Sequence, residues 1–171
     1  MRRYPLINFS TFSLTEFCDF IADRLYADVQ QLLDELQKNF DQYPGIFEEE
    51  DNKRLLPFLF LQLSDQCRQL LRLETLALFP HIRNQLKNGL SPAISPKTMQ
   101  QLEQAQKVML SHSWRIGITL NFYVAKNNRS VPEQIIANDL HLLSSLLQDW
   151  VNLVQNHLFE HTATSNTTME S

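Results

Sequence analysis

The sequence predicts an all-α chain folded as an up-down-up-down antiparallel four-helix bundle, and three observations carry that prediction. Glycine is scarce, with three among 171 residues, whereas the helix formers Leu, Gln and Glu are frequent and strand-type alternation is absent; this balance favours helices. Apolar residues instead recur at three- and four-residue steps along four long stretches, the period of an amphipathic helix. The stretches are separated by short to medium segments holding Pro, Gly, Ser and Asn, which make consecutive helices neighbours.

Residues 1–12 read as an aromatic-bearing N-terminal arm, 13–161 as a single four-helix domain, and 162–171 as a polar, disordered tail. The first helix opens on a capping box, Ser13 with Glu16, and Phe12 and Phe17 stand at the positions of a hydrophobic staple. Its seam is Leu14, Cys18, Ile21, Leu25, Val29, Leu32 and Leu36, and Tyr43-Pro44-Gly45 ends it. The acidic run Glu48 to Asp51 suits the start of a second helix over 52–88, with Gly89 at the C′ position.

Within that helix the stretch 63–82 is apolar around most of its circumference, so it belongs in the middle of a packed domain. It nevertheless carries a carboxylate, Glu74, on the face of Leu63, Cys67, Leu70 and Ala77. A lone buried charge is costly, so Glu74 is expected to be paired or protonated. Pro80 leaves the Leu76 carbonyl without its donor and should kink the helix.

Ser95 and Pro96 form the N-cap and first position of a third helix over 96–126. Its seam is Leu102, Ala105, Met109, His112, Ile116, Leu120 and Tyr123, and Gly117 suggests a close helix contact. Ser130 and Glu133, around Pro132, cap a fourth helix over 131–159. There the seam is Ile136, Leu140, Leu143, Leu147, Trp150, Val154 and His157. Leu142, Leu146 and Leu153 lie off that seam and are expected to meet a protein partner or a second copy through helix four.

A net charge of −4 argues against nucleic acid as the partner. No apolar run reaches the roughly 18 residues of a membrane span. Met1 to Phe12 lacks both a continuous apolar core and a small-residue cleavage site, which makes it a poor signal peptide. With Cys18 and Cys67 on apolar helix faces, the expected setting is the reducing cytoplasm. Phosphate-binding glycine loops and a nucleophile elbow are absent, so the chain is not expected to be an enzyme.

The stretch Leu70-Leu71-Arg72-Leu73-Glu74-Thr75-Leu76-Ala77-Leu78-Phe79-Pro80 resembles the hemerythrin-like (HHE cation-binding) domain family, nearest its iron-centre repair branch. That family carries a metal-binding His and Glu four apart, followed by Leu-Phe-Pro. Glu74 falls at the Glu position and Leu70 at the His position. Phe20 to Tyr26 resembles the first family helix without its ligand His, and Met109-Leu110-Ser111-His112, leading to Asn127-Asn128, resembles the third, which gives His112 a ligand position. The fourth helix aligns in two ways: one puts Trp150 and Val154 at the ligand positions, the other Asn156 and Glu160.

The resemblance therefore implies a di-iron bundle site from which most ligands are missing, with Glu74, His112 and Glu160 as the remaining metal candidates. It implies a non-enzymatic binding or regulatory protein without a cofactor. The alternatives are a non-haem iron protein for oxygen or nitric oxide sensing or for iron-centre repair, and an unrelated helical adaptor. Glu74 and His112 are expected to meet as a buried hydrogen-bonded pair, and His157 and His161 to face solvent at a helix end.

Overall fold

Two reciprocal caps hold helix starts where the sequence puts them. In a computed structural model, which describes residues 9–47, 55–90, 94–124 and 130–159, Ser13 Oγ accepts from the Glu16 N–H while the Glu16 carboxylate accepts from the Ser13 N–H at 2.8 Å. Ser130 and Glu133 repeat the arrangement, with the Ser130 N–H to Glu133 Oε2 at 2.7 Å. Four helices follow in chain order, and there is no strand among the described residues. We label them α1 (14–42), α2 (55–87), α3 (Pro96–Val124) and α4 (131–159). The acidic run 48–51, Asn127-Asn128, Glu160, His161 and the tail 162–171 lie outside the described residues, as do residues 1–8 of the arm.

The rest of the arm makes a short 3-10 turn, Phe9–Thr11. The expected staple becomes an aromatic cluster: Phe9 lies edge-on to Phe12, Phe17 and Phe20, with ring centres 5.5, 5.8 and 5.1 Å away. At the far end of α2 the C′ position is Gly89, as expected, at φ +69°. The Leu90 N–H reaches the Gln85 carbonyl at 2.9 Å and the Gly89 N–H reaches Leu86 at 3.1 Å, which closes the helix as a Schellman motif. Gly117 does not mark a close helix contact, because a Cβ built there meets nothing within 4 Å.

α1 lies against both α2 and α4, and α3 against the same two. Between α1 and α2, Asp19 pairs with Arg83 and Asp34 with Arg68. Between α3 and α4, Gln106 pairs with Gln155 and Ser113 with Ser144. The apolar stripes close over one core, as they must, since no stripe is stable in water alone. Leu146 is part of that core and Leu153 is half-buried, so of the three leucines expected to meet a partner only Leu142 is exposed.

Three of the helices are not α-helical throughout. One turn of each, Ile21–Leu25 in α1, Glu74–Leu78 in α2 and Gln155–Phe159 in α4, is a π turn. A π turn holds one more residue than an α turn, and such turns concentrate at functional sites. In α2 it answers the question that Pro80 raises. The Phe79 N–H reaches back five residues to the Glu74 carbonyl, and Pro80 then sits in the first turn of the helical segment that follows, where the lack of an N–H matters least.

Candidate functional site

Glu74 opens the π turn of α2 and has no exposed surface. Its Oε2 accepts a hydrogen bond from the Tyr26 hydroxyl, a very short contact, and one from the indole N–H of Trp150 at 2.9 Å. Each donor comes from a different helix. Tyr26 follows the π turn of α1, its N–H bonded to the Ile21 carbonyl five residues back. Trp150 lies one turn before the π turn of α4 and is wholly buried. The Tyr26 ring stacks on Phe79 at 5.9 Å and tilts against Trp150 at 5.0 Å.

Electrostatics follow from this burial. Loss of water pushes the Glu74 carboxyl up to about 7, and the donors Tyr26 and then Trp150, followed by the neighbouring Gln106 amide, hold it back. Burial also drives the Tyr26 hydroxyl well above its ordinary range, with the neighbouring Glu74 charge adding to the effect, so Tyr26 stays protonated and remains a donor. Gln106 on α3 is buried and takes the Gln155 amide at 3.1 Å on its Oε1. Its amide lowers the Glu74 carboxyl less than Tyr26 and Trp150 do. Glu74 Oε1 and Gln106 Nε2 are both left buried and unpaired.

The expected Glu74–His112 hydrogen bond is not made. His112 is half-buried and its Nδ1 has no partner, and Gln106 is the α3 residue that bears on the carboxylate. The buried seam of α3 runs through Gln106 and Ser113, not through Ala105 and His112. His157 does not face solvent at a helix end; it is half-buried, its ring 4.8 Å from Phe17 and 5.7 Å from Phe9. Glu160 lies outside the described residues. Cys18 and Cys67 are buried free thiols, as expected, and burial pushes both up to about 12.

These residues do not suit a di-iron cage. Two hydrogen-bond donors aim at Glu74 Oε2 where a metal would need that lone pair, and an indole N–H has none to offer in return. Leu70, which the resemblance sets at a ligand position, is wholly buried and apolar. Among the described residues no three His, Cys, Asp or Glu side chains are grouped so as to hold a metal ion.

Sequence reasoning singled out Glu74 and placed Trp150 on the α4 seam, but it missed Tyr26, Gln106 and Gln155. Gln106 had a signal, since it stands four after Leu102 and three before Met109. Tyr26 had one too, since it stands at three- and four-residue steps before Val29, Leu33, Leu36 and Phe40, but a row read through Ile21 and Leu25 passes it by. No family model matches this chain, and no curated protein or solved structure matches it at a significant level.

Proposed function

We propose that this chain is an up-down-up-down antiparallel, hemerythrin-like bundle whose metal site is degenerate, and that it acts as a cytoplasmic, non-enzymatic binding or regulatory protein. The pairs support the helix directions: Asp19 with Arg83 and Asp34 with Arg68 step oppositely along α1 and α2, as do Gln106 with Gln155 and Ser113 with Ser144 along α3 and α4. One observation carries the functional part. The carboxylate that the resemblance assigns to a metal is occupied by protein donors, and the buried Trp150 fills volume that a ligand and its ion would need. An interior closed in this way leaves the protein's work to its surface.

A second reading, a non-haem iron protein for oxygen or nitric oxide sensing or iron-centre repair, draws on one feature. Glu74 Oε1 and His112 Nδ1 are both buried without partners. Metal analysis of protein purified from iron-replete cells separates the two. The first reading expects far less than one equivalent of iron, unchanged in Glu74→Ala and His112→Ala. An equivalent or more that is lost in either variant overturns it.

A further inference from the structure

A groove of about 430 Å³ runs between α1 and α2 directly outside the Tyr26–Glu74 contact. Its α1 wall is Ala22, Tyr26 and Gln30, one helical turn apart. Its α2 wall carries Arg68 and Arg72, also one turn apart, and then Thr75. Side chains at this spacing are neighbours on one helix face, so two guanidinium groups share one rim. Among the described residues no acidic side chain lines the groove. Arg68 makes only a 3.4 Å surface contact with Asp34, itself largely exposed; a pair of that kind contributes little and is readily exchanged. Arg72 has no acidic partner among the described residues. The remaining lining is apolar: Leu71, the half-buried Ala22, and Leu76, which is 75% exposed on a helix whose other leucines are mostly covered.

We propose that this groove binds a small organic anion with an apolar body, its carboxylate or phosphate held by Arg68 and Arg72 and its hydrocarbon laid along Leu71, Leu76 and Ala22. The planar guanidinium fork matches the two oxygens of such a head group. The volume lies within the range of small-molecule sites, which pair an apolar lining with a few placed polar groups. Gln30 and Thr75 supply uncharged hydrogen-bonding groups at the same rim. Tyr26 forms the inner wall and donates to Glu74 behind it, so an occupant touches the residue that anchors the buried carboxylate.

The inference does not rest on the hemerythrin-like reading, and the iron measurement and the ligand measurement fail independently. The test is calorimetric titration of the full chain with octanoate, octyl phosphate, octanol and inorganic phosphate. At least one of the two octyl anions is expected to bind with one-to-one stoichiometry, more tightly than octanol or inorganic phosphate. Arg72→Ala and Arg68→Ala are each expected to weaken it by about tenfold, the loss of one charged hydrogen-bonding partner. Arg115→Ala, an exposed arginine away from the groove, is expected to leave it unchanged. The proposal is overturned if neither octyl anion binds at millimolar concentration, if octanol binds as well as the anions, if inorganic phosphate alone binds as well, or if both arginine variants bind like the parent.

Discussion

Trp150 donates its indole N–H to Glu74 Oε2 across 2.9 Å, joining α4 to α2 through the centre of the core. Tyr26 supplies the second donor from α1. Hydrogen bonds to a charged acceptor contribute about 1.5–3 kcal/mol. Above about pH 8, where Glu74 is charged, Trp150→Phe and Tyr26→Phe, which keep most of the ring volume, are each expected to lower stability by about that much in urea unfolding. The double variant should lose less than the sum, because Glu74 stripped of both donors takes up a proton instead of remaining charged. Strict additivity would mean that the two donors do not serve one carboxylate.

The pH dependence has a definite sign. Glu74 is raised from 4.5 to about 7 in the folded chain, so between those values the folded state holds a proton that the unfolded state has released. Its contribution is fully present below about pH 4.5, falls as pH rises towards about 7, and is level above. The total change is on the order of 3 kcal/mol. Urea midpoints of the parent and of Glu74→Gln across this range check it. The difference between them should shift in favour of Glu74→Gln as the pH rises, and a constant difference would contradict it.

The two tryptophans should behave as opposites. Trp150 is wholly buried, whereas Trp114 is 68% exposed on the outer face of α3, in a row with Ile118 and Phe122. Trp150→Ala should cost about 3–5 kcal/mol, and Trp114→Ala less than about 0.5 kcal/mol. Chemical denaturation measures both. Emission of Trp114→Phe, which leaves Trp150 as the sole indole, should be blue-shifted from that of the parent.

Cys18 and Cys67 are buried and pushed up to about 12, so almost no thiolate exists near neutral pH. Neither should react with an aromatic disulfide reagent in the folded chain, and both should react in urea. Fast labelling of either thiol under native conditions would place that residue at the surface.

Gly117 stands in the interior of α3 with open space where a Cβ would go. Gly117→Ala should therefore stabilise the chain by about 0.5–1 kcal/mol through the lower backbone entropy of the unfolded state. A thermal melt reads this directly, and a fall in midpoint would reveal a contact that the fold does not contain.

Helix positions were legible where a local rule fixes them. Ser13 with Glu16, Ser130 with Glu133, and Gly89 are read from neighbours three or four residues away, and the structure makes the bonds that those spacings imply. The burial of Glu74 was legible for the same reason, since its helix is apolar on nearly every side. What surrounds Glu74 was not. A glutamine within a seam looks like a surface residue until its neighbours are known to be buried, so Gln106 was passed over for His112. Tyr26 shares the row of Val29, Leu33, Leu36 and Phe40, but the π turn shifts that row against Ile21 and Leu25, and a single unbroken seam read through the helix passes Tyr26 by. At Pro80 the sequence predicts a kink, and the structure meets the missing donor with a π turn immediately before the proline.

The π turns also make the interior sensitive to a single codon. Each accommodates one residue beyond the α-helical count, and one residue corresponds to about 100° of rotation about the helix axis. A deletion inside 21–25 would restore the ordinary winding of α1 and turn Phe17 and Cys18 by about that angle against the row of Tyr26, Val29 and Leu33, so that one of the two sets must leave the core although no side chain at the site has changed. The chemistry at the centre of this protein could thus be rewired by changes in length alone, a class of variation that residue-by-residue substitution would never sample.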